Sequence, residues 1–280
     1  MPGAVPPPGA PAHDGLAAAA EALWCEISPG WPDFQVEVLR EIDSTNTELM
    51  RRARDGIAAR TLLVAVQQTA GRGRLGRTWR SAPGDSLTFS LAWPMAPQDW
   101  SGLSLAVGLS VAQSLHERIR LKWPNDLWVD DRKLGGILIE TAAAPAALNE
   151  PGSRERVAVI GIGLNIALPE GADLSQPPAC LHELMSQTPQ VPPTDAAWTL
   201  RRVVPALVKA LERFPTQGFA PLVDAFAARD ALRGRSVRLS DGRSGIAIGV
   251  ADDGALCVQT EAGVQRISSA EVSVRPEAGA

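Results

Sequence analysis

Arg72, Arg74 and Arg77 alternate with Gly71, Gly73 and Gly76 in the stretch TAGRGRLGRTWRS, Thr69 to Ser81. Planar guanidinium groups on a glycine-loosened backbone suit bidentate binding of carboxylate or phosphate oxygens, helped by backbone N–H groups. Gly71 to Gly76 also satisfies G-x-G-x-x-G, the dinucleotide fingerprint. That fingerprint needs a helix opening at its third glycine and an acidic residue about 20 positions on. Pro83 and Gly84 forbid a useful helix after Gly76, and arginine stands where the fingerprint takes small residues. The P-loop pattern is missing too, so Walker-type ATP hydrolysis is not expected.

A second stretch, KWPNDLWVDDRKLGGILIE from Lys122 to Glu140, offers Lys122 and Lys133 near strand ends and an Asn125-Asp126 pair after a proline turn. It also places Gly135-Gly136 inside a strand, where glycine weakens packing and marks close approach of a ligand or backbone. Taken singly, Lys133 reads as an ordinary hairpin lysine, Asn125-Asp126 as an ordinary turn and the arginines as a solvated loop. Together the two stretches form an anion-handling set.

Composition narrows the classes. With 280 residues and 45% hydrophobic content the chain buries a substantial core, as one large domain or a main domain plus a small one. A formal charge of −4 argues against sequence-independent nucleic-acid binding, which relies on a large lysine and arginine excess. Cys25, Cys180 and Cys257 are far apart and lack zinc or redox spacing, so a reducing, cytoplasmic setting and no protein-bound metal are expected. No apolar run reaches the roughly 18 residues of a membrane span, and no signal peptide is legible. Of the three histidines, at 13, 116 and 182, His13 in the Pro/Ala-rich tail and His116 in an expected helix make poor acid–base candidates.

The elements that must position these residues follow from periodicity. Residues 1–33 read as a flexible Pro/Ala-rich tail with a short helix, Leu16 to Ile27. Phe34 to Glu41 is a strand, and Thr45 with Glu48 has capping-box spacing for a short amphipathic helix ended by Gly56. TLLVAVQQ and SLTFSLAWP are strands on either side of the Gly/Arg loop, and Leu103 to Ile119 has helical spacing. LWVDDRKLGGILIE reads as a hairpin turning at Asp130-Asp131, and VAVIGIGLNI as another strand. Thr194 caps a helix to Phe214 that Pro205 kinks or splits, and a further helix runs from Pro221 to Ala231. After residue 232, short alternating strands and Asp-Gly or Glu-Ala-Gly turns indicate a small β module.

With these motifs in order, the sequence resembles the biotin–protein ligase (biotin–[acetyl-CoA-carboxylase] ligase) family from about Val38 to Arg275. STN at 44–46, QTAGRGRLGRTW at 68–79, KWPND at 122–126, RKLGGILIE at 132–140 and GIGLN at 161–165 carry the resemblance. Each is weak alone; their shared order is specific.

The resemblance implies an α+β fold: a mixed sheet with flanking helices, of the class II synthetase-like type, over 34–231, plus an SH3-like C-terminal barrel over 232–276. It implies ATP- and Mg²⁺-dependent activation of biotin to biotinyl-AMP, then transfer to a lysine of a biotin carboxyl carrier domain. By matching positions, Ser44, Thr45 and Gln68 contact the biotin ureido ring, with Asn46, Gly71 and Trp79 among the ligand-binding residues. Arg72, Gly73 and Arg74 close over the carboxylate and α-phosphate, and Lys133 neutralises those oxygens. Arg77, Lys122 and Asn125 face the ATP phosphates and Mg²⁺. Asp126 receives a proton from, or orients, the carrier lysine; Gly161, Gly163 and Asn165 line the ligand floor, and Arg275 reaches the nucleotide.

Some members of that family begin with a DNA-binding domain. No recognition helix fits before residue 34, so no DNA partner and no repressor activity are expected. Membrane association is not expected either, and the oligomeric state is open, with a homodimer among the options. The rivals are a lipoate–protein ligase-like acyltransferase and, from another class, an arginine-loop RNA-binding module; the latter predicts salt-sensitive RNA binding, and only Trp79 offers an aromatic partner near the loop.

Overall fold

The computed structural model describes residues 10–144, 155–168, 178–186, 194–268 and 274–276. The chain divides into two compact units that are each discontinuous in sequence: Met1–Met95 with Leu138–Pro205, and Ala96–Ile137 with Ala206–Ala280. Among the described residues no helix is long and apolar enough to cross a membrane, and no group of three or more His, Cys, Asp or Glu could hold a metal.

The first unit opens with helix α1 (Ala10–Ile27). It begins before the expected Leu16, with Pro11 in its first turn, where the missing N–H has no intrahelical partner to lose; residues 1–9 of the expected tail lie outside the described residues. Strand β1 (Gln35–Ile42), helix α2 (Thr45–Arg54), β2 (Thr61–Gln68) and β3 (Ser86–Met95) follow. The unit also holds the Leu138–Ala143 part of β6 (Arg132–Ala143) and β7 (Arg156–Asn165). Strands neighbour in the order β1-β2-β3-β7-β6; β1 and β2 are parallel, while β2–β3 and β3–β7 are antiparallel.

β2 and β3 are apolar and buried on both faces, which explains their near-continuous hydrophobic runs. Leu49, Met50 and Ala53 seat α2 against Leu63, Ala92, Val157 and Val159. Burying side chains such as Leu49 and Met50 is worth about 1.5–3 kcal/mol each, enough to fix a helix of only 10 residues.

The second unit contains α3 (Leu103–Leu115), β4 (Arg120–Lys122), β5 (Asp126–Val129) and the Arg132–Ile137 part of β6, with strand order β4-β5-β6. Asp130 and Asp131 form the β5–β6 turn with φ of 49° and 59°, a left-handed pair that aspartate tolerates. The outer side of β4 is held by the chain at 229–231: Leu121 N–H donates to the Arg229 carbonyl (2.8 Å), and Ala231 N–H to the Leu121 carbonyl (3.0 Å).

Helix α4 (Leu181–Ser186), in the first unit, has no counterpart in the expectations above. Helix α5 (Ala196–Gln217) departs from them twice. Asp195, not Thr194, caps it, its carboxylate accepting from Trp198 N–H at 2.7 Å. Pro205 neither ends nor splits it: apolar burial of Leu200, Val203, Val204, Leu207, Leu211 and Phe214 outweighs a proline penalty of about 3 kcal/mol. The expected Pro221–Ala231 helix shrinks to a 3₁₀ turn and α6 (Val223–Ala227), because residues 229–231 extend along β4.

Strands β8 (Ser236–Leu239), β9 (Ser244–Val250), β10 (Leu256–Thr260), β11 (Gly263–Ile267) and β12 (Val274–Pro276) form an antiparallel sheet, ordered β11-β10-β9-β8-β12. Its turns carry Gly242 and Gly254 at φ of 92° and 78°, as the Asp-Gly pattern requires.

Candidate active site

The start of α2 resolves two competing uses of the STN motif. Ser44, in extended conformation, is the N-cap: its hydroxyl accepts from Thr47 N–H at 3.3 Å. The capping box expected from Thr45 and Glu48 therefore does not form. Glu48 turns to Arg51 and Arg52 instead (2.8 and 2.7 Å), and those guanidinium groups hold its carboxyl below the usual carboxylate range.

A lowered folded-state pKa stabilises the fold above the ordinary carboxylate pKa and ceases to do so as pH falls through the folded value. Glu48→Gln is accordingly expected to cost about 0.5–1 kcal/mol at pH 7, and the cost should vanish as pH falls through the lowered folded-state value, below the ordinary carboxylate range. Urea unfolding of both proteins across that range checks the prediction; a penalty independent of pH would refute it.

Freed from capping, Thr45 faces inward. Its N–H and hydroxyl both donate to Gln68 Oε1 (2.7 and 3.0 Å), and the hydroxyl also bonds the Ser90 hydroxyl at 2.8 Å. The single Ser90 hydroxyl proton serves either that contact or Asn46 Oδ1 at 3.2 Å, and Asn46 Nδ2 donates to Glu140 at 2.6 Å. Ser44, Thr45, Asn46, Gln68 and Ser90 are all buried. These buried polar groups, from the start of α2, the end of β2 and the middle of β3, form a preorganised set of donors and acceptors.

The arginine loop leaves β2 and returns to β3 as a tight hairpin. Arg72 bridges Thr78, Gly73 N–H donates to the Arg77 carbonyl (2.7 Å), and Trp79 N–H to the Gly71 carbonyl (2.9 Å). Arg74–Gly76 makes a single 3₁₀ turn with Leu75 at φ 55° and Gly76 at φ 71°. No phosphate-binding helix follows, which closes the dinucleotide alternative. A side chain at Gly71 would lie 2.5 Å from the Trp79 carbonyl oxygen and 2.7 Å from Gln68 Nε2, so glycine is needed for the loop to approach Gln68. Arg72 donates to both oxygens of Glu140 (3.1 and 3.4 Å) and to the Thr47 hydroxyl (3.3 Å). Arg74 is half-buried and Arg77 exposed.

On β7 the glycines make room for this chain's own side chains. A Cβ at Gly161 would stand 2.7 Å from Asn46 Oδ1; one at Gly163 would collide with the Trp79 indole ring. The indole N–H of Trp79 is buried without a hydrogen-bond partner, an unmet donor at the base of the loop. Asn165, at the end of β7, donates through Nδ2 to the Ala179 carbonyl at 3.1 Å.

The second unit assembles the lysines. Asp126 pairs with Lys133 Nζ at 2.7 Å and lies 3.9 Å from Lys122 Nζ, which also sits 5.0 Å from the Trp128 ring. Lys122 and Lys133 thus flank the same carboxylate. Asn125 locks its turn to β6: Nδ2 donates to the Ile137 carbonyl at 2.7 Å, and Ile137 N–H donates back to the Asn125 carbonyl at 3.0 Å. Pairing shifts at Leu134, because Trp128 faces Lys133 while Leu127 faces Gly135. This bulge turns Gly136 to the same face as Lys133, and a Cβ there would lie 3.2 Å from Nζ.

Comparisons with known proteins fit this geometry. Residues 38–164 match the Biotin/lipoate A/B protein ligase family, and residues 234–275 the Biotin protein ligase C terminal domain. The bifunctional ligase/repressor BirA of Escherichia coli is 34% identical over 86% of this chain and 74% of its own length. The biotin–[acetyl-CoA-carboxylase] ligase of Paracoccus denitrificans is 30% identical over 84% and 98%. The chain belongs to the biotin–protein ligase family. Among solved structures, the Aquifex aeolicus biotin protein ligase in complex with biotin and ATP is 28% identical, with a TM-score of 0.70 over 87% of this chain and 99% of that one.

As in that family, this ligase combines a mixed sheet and flanking helices with a small SH3-like C-terminal sheet. Two polar residues of its site escaped the sequence reading. Ser90 sits inside an apolar strand with no motif around it. Glu140 closes the RKLGGILIE motif, and the only signal was its position at the end of a strand otherwise apolar after Lys133.

Proposed function

We propose that this ligase activates biotin with ATP and transfers it to one lysine of a biotin carboxyl carrier domain. In the first step a biotin carboxylate oxygen attacks the α-phosphorus of ATP; the new P–O bond gives biotinyl-5′-AMP as pyrophosphate leaves. In the second, the neutral lysine amine attacks the acyl carbon, AMP departs, and the amine's proton passes to a base or to water. The observation carrying this reading is the buried Thr45–Gln68–Ser90 set, since a ureido ring in an apolar slot needs its donors and acceptors met. A lipoate tail has no such groups, which favours biotin over lipoate.

Lys133 neutralises carboxylate and α-phosphate oxygens as charge builds on them, and Arg72 and Arg74 close over the same group. Lys122, Asn125 and Arg77 serve the ATP phosphates. Mg²⁺ enters with ATP as the counter-ion of those phosphates, the usual manner for a cation that takes few protein ligands. Asp126 holds Lys133 until the substrate anion arrives, then orients the carrier lysine. The domain division is a catalytic part over 34–231 and a terminal module over 232–276. A reducing, cytoplasmic location is supported by Cys25, Cys180 and Cys257 being free.

Incubation with ATP, Mg²⁺, biotin and a carrier domain tests the reading: mass equivalent to one biotinyl group should appear on a single carrier lysine, with pyrophosphate released. Lipoate replacing biotin as the modifying group would overturn it. Biotin at 100 times its Kd should stabilise the fold by about 2.7 kcal/mol, and lipoate should not. Arg74→Gly removes a lid contact, so free biotinyl-AMP should rise in the medium about tenfold or more, for a loss of at least 1.4 kcal/mol of holding energy. Unchanged release would exclude Arg74 from the lid.

A further inference from the structure

We infer that Glu140 is a positioning residue that latches Arg72 until the substrate's carboxylate takes the arginine from it. The inference rests on the biotin reading above and adds a residue to it.

Three observations carry it. First, Arg72 is already bonded to a carboxylate: its guanidinium donates to both Glu140 oxygens at 3.1 and 3.4 Å. Second, Glu140 is also held by buried Asn46, whose Nδ2 donates at 2.6 Å to Oε2, the oxygen that Arg72 reaches at 3.4 Å. Third, a run of close polar contacts leads from Gln68 through Thr45 and Ser90 to Asn46, and from Asn46 through Glu140 to Arg72. The residues assigned to the ureido ring and the arginine assigned to the carboxylate are thus linked through one glutamate.

The strength of the pair suits a latch. The side chains are 24% and 48% exposed, and ion pairs with that much water access are worth about 0.2–1 kcal/mol. Such a pair orders the loop in the ligand-free protein, yet a carboxylate arriving in a drier slot displaces it. The exchange swaps one carboxylate partner of Arg72 for another, so the arginine is never left without an anion.

The test uses the full chain and Glu140→Gln, which keeps an oxygen to accept from Asn46 but removes the charge. Biotin should bind the variant about two- to fivefold more tightly than wild type, because no latch has to break. Biotin carboxamide, which has no carboxylate to compete for Arg72, should bind both proteins equally. In ligand-free protein, tryptic cleavage after Arg72, Arg74 and Arg77 should accelerate by a similar factor. If biotin and its carboxamide both bind the variant more weakly, Glu140 only props Asn46 and the latch is overturned. Unchanged biotin affinity with unchanged cleavage overturns it as well. A wild-type protein that binds no biotin would instead overturn the ligase reading, and the cleavage arm would still decide the latch.

Discussion

Lys133→Ala is expected to lower the rate of pyrophosphate release about 10²- to 10³-fold, the range found when one preorganised charge or donor is removed from a developing oxyanion. The ammonium lies 2.7 Å from Asp126 and its side chain is 42% exposed, so deleting it breaks a partly solvated pair worth about 0–1 kcal/mol. The fold should therefore survive, and the melting temperature should move by a few degrees at most. Biotin affinity should change far less than the rate, because the charge being neutralised grows along the reaction path. Single-turnover pyrophosphate release, run beside a melt, separates these effects. Wild-type release in a folded variant would remove Lys133 from its role. The same experiment bears on Asp126: with Lys133 gone, Lys122 at 3.9 Å is the cation left beside it among the contacts described above, and it cannot replace the lost charge in place.

Thr45→Val is expected to weaken biotin binding about 10- to 100-fold while leaving the turnover rate of bound substrate within a few-fold. Valine matches threonine in shape, but the hydroxyl it lacks bonds Gln68 Oε1 at 3.0 Å and the Ser90 hydroxyl at 2.8 Å. Gln68 keeps the Thr45 N–H at 2.7 Å, whereas Ser90 keeps only its bond to Asn46. Leaving a buried polar group short of its partner costs about 1–3 kcal/mol, which is the stated loss in affinity when the group must also meet a ligand. Steady-state kinetics with biotin varied should show the loss in KM rather than kcat. An unaltered KM would mean that the buried set serves the fold alone, and the ureido assignment would fail with it.

Helix N-capping illustrates how close the two kinds of information lie. Sequence spacing identified a helix start at 44–48 correctly, because capping is a local matter of one side chain and the N–H groups three residues on. It assigned the cap to the wrong hydroxyl, since Ser44 and Thr45 have the same chemistry. The choice fell to Gln68 and Ser90, which are 23 and 45 residues away and are delivered by the β2–β3 pairing. The glycines of β7 show the same division. The resemblance placed them on a ligand floor; that Asn46 and Trp79 are the side chains packed against them depends on the antiparallel register of β3 with β7 and on the loop that carries Trp79.

By itself the sequence determined whatever is decided within a few residues: the span of β2, the hairpin turn at Asp130-Asp131, the absence of a helix after Gly76, the alternating strands after residue 232, and the motif order that marks the family. Tertiary structure alone decided the continuity of α5 through Pro205, the bulge at Leu134 that places Gly136 beside Lys133, and the bonding of Glu140 to Arg72 and to Asn46, which is 94 residues away. The physical reason is range. Turn chemistry and periodicity act over one or two turns of chain, while burial energy and strand register act across the whole sheet, and they overrule local preference wherever a helix, a bulge or a polar partner serves the larger packing.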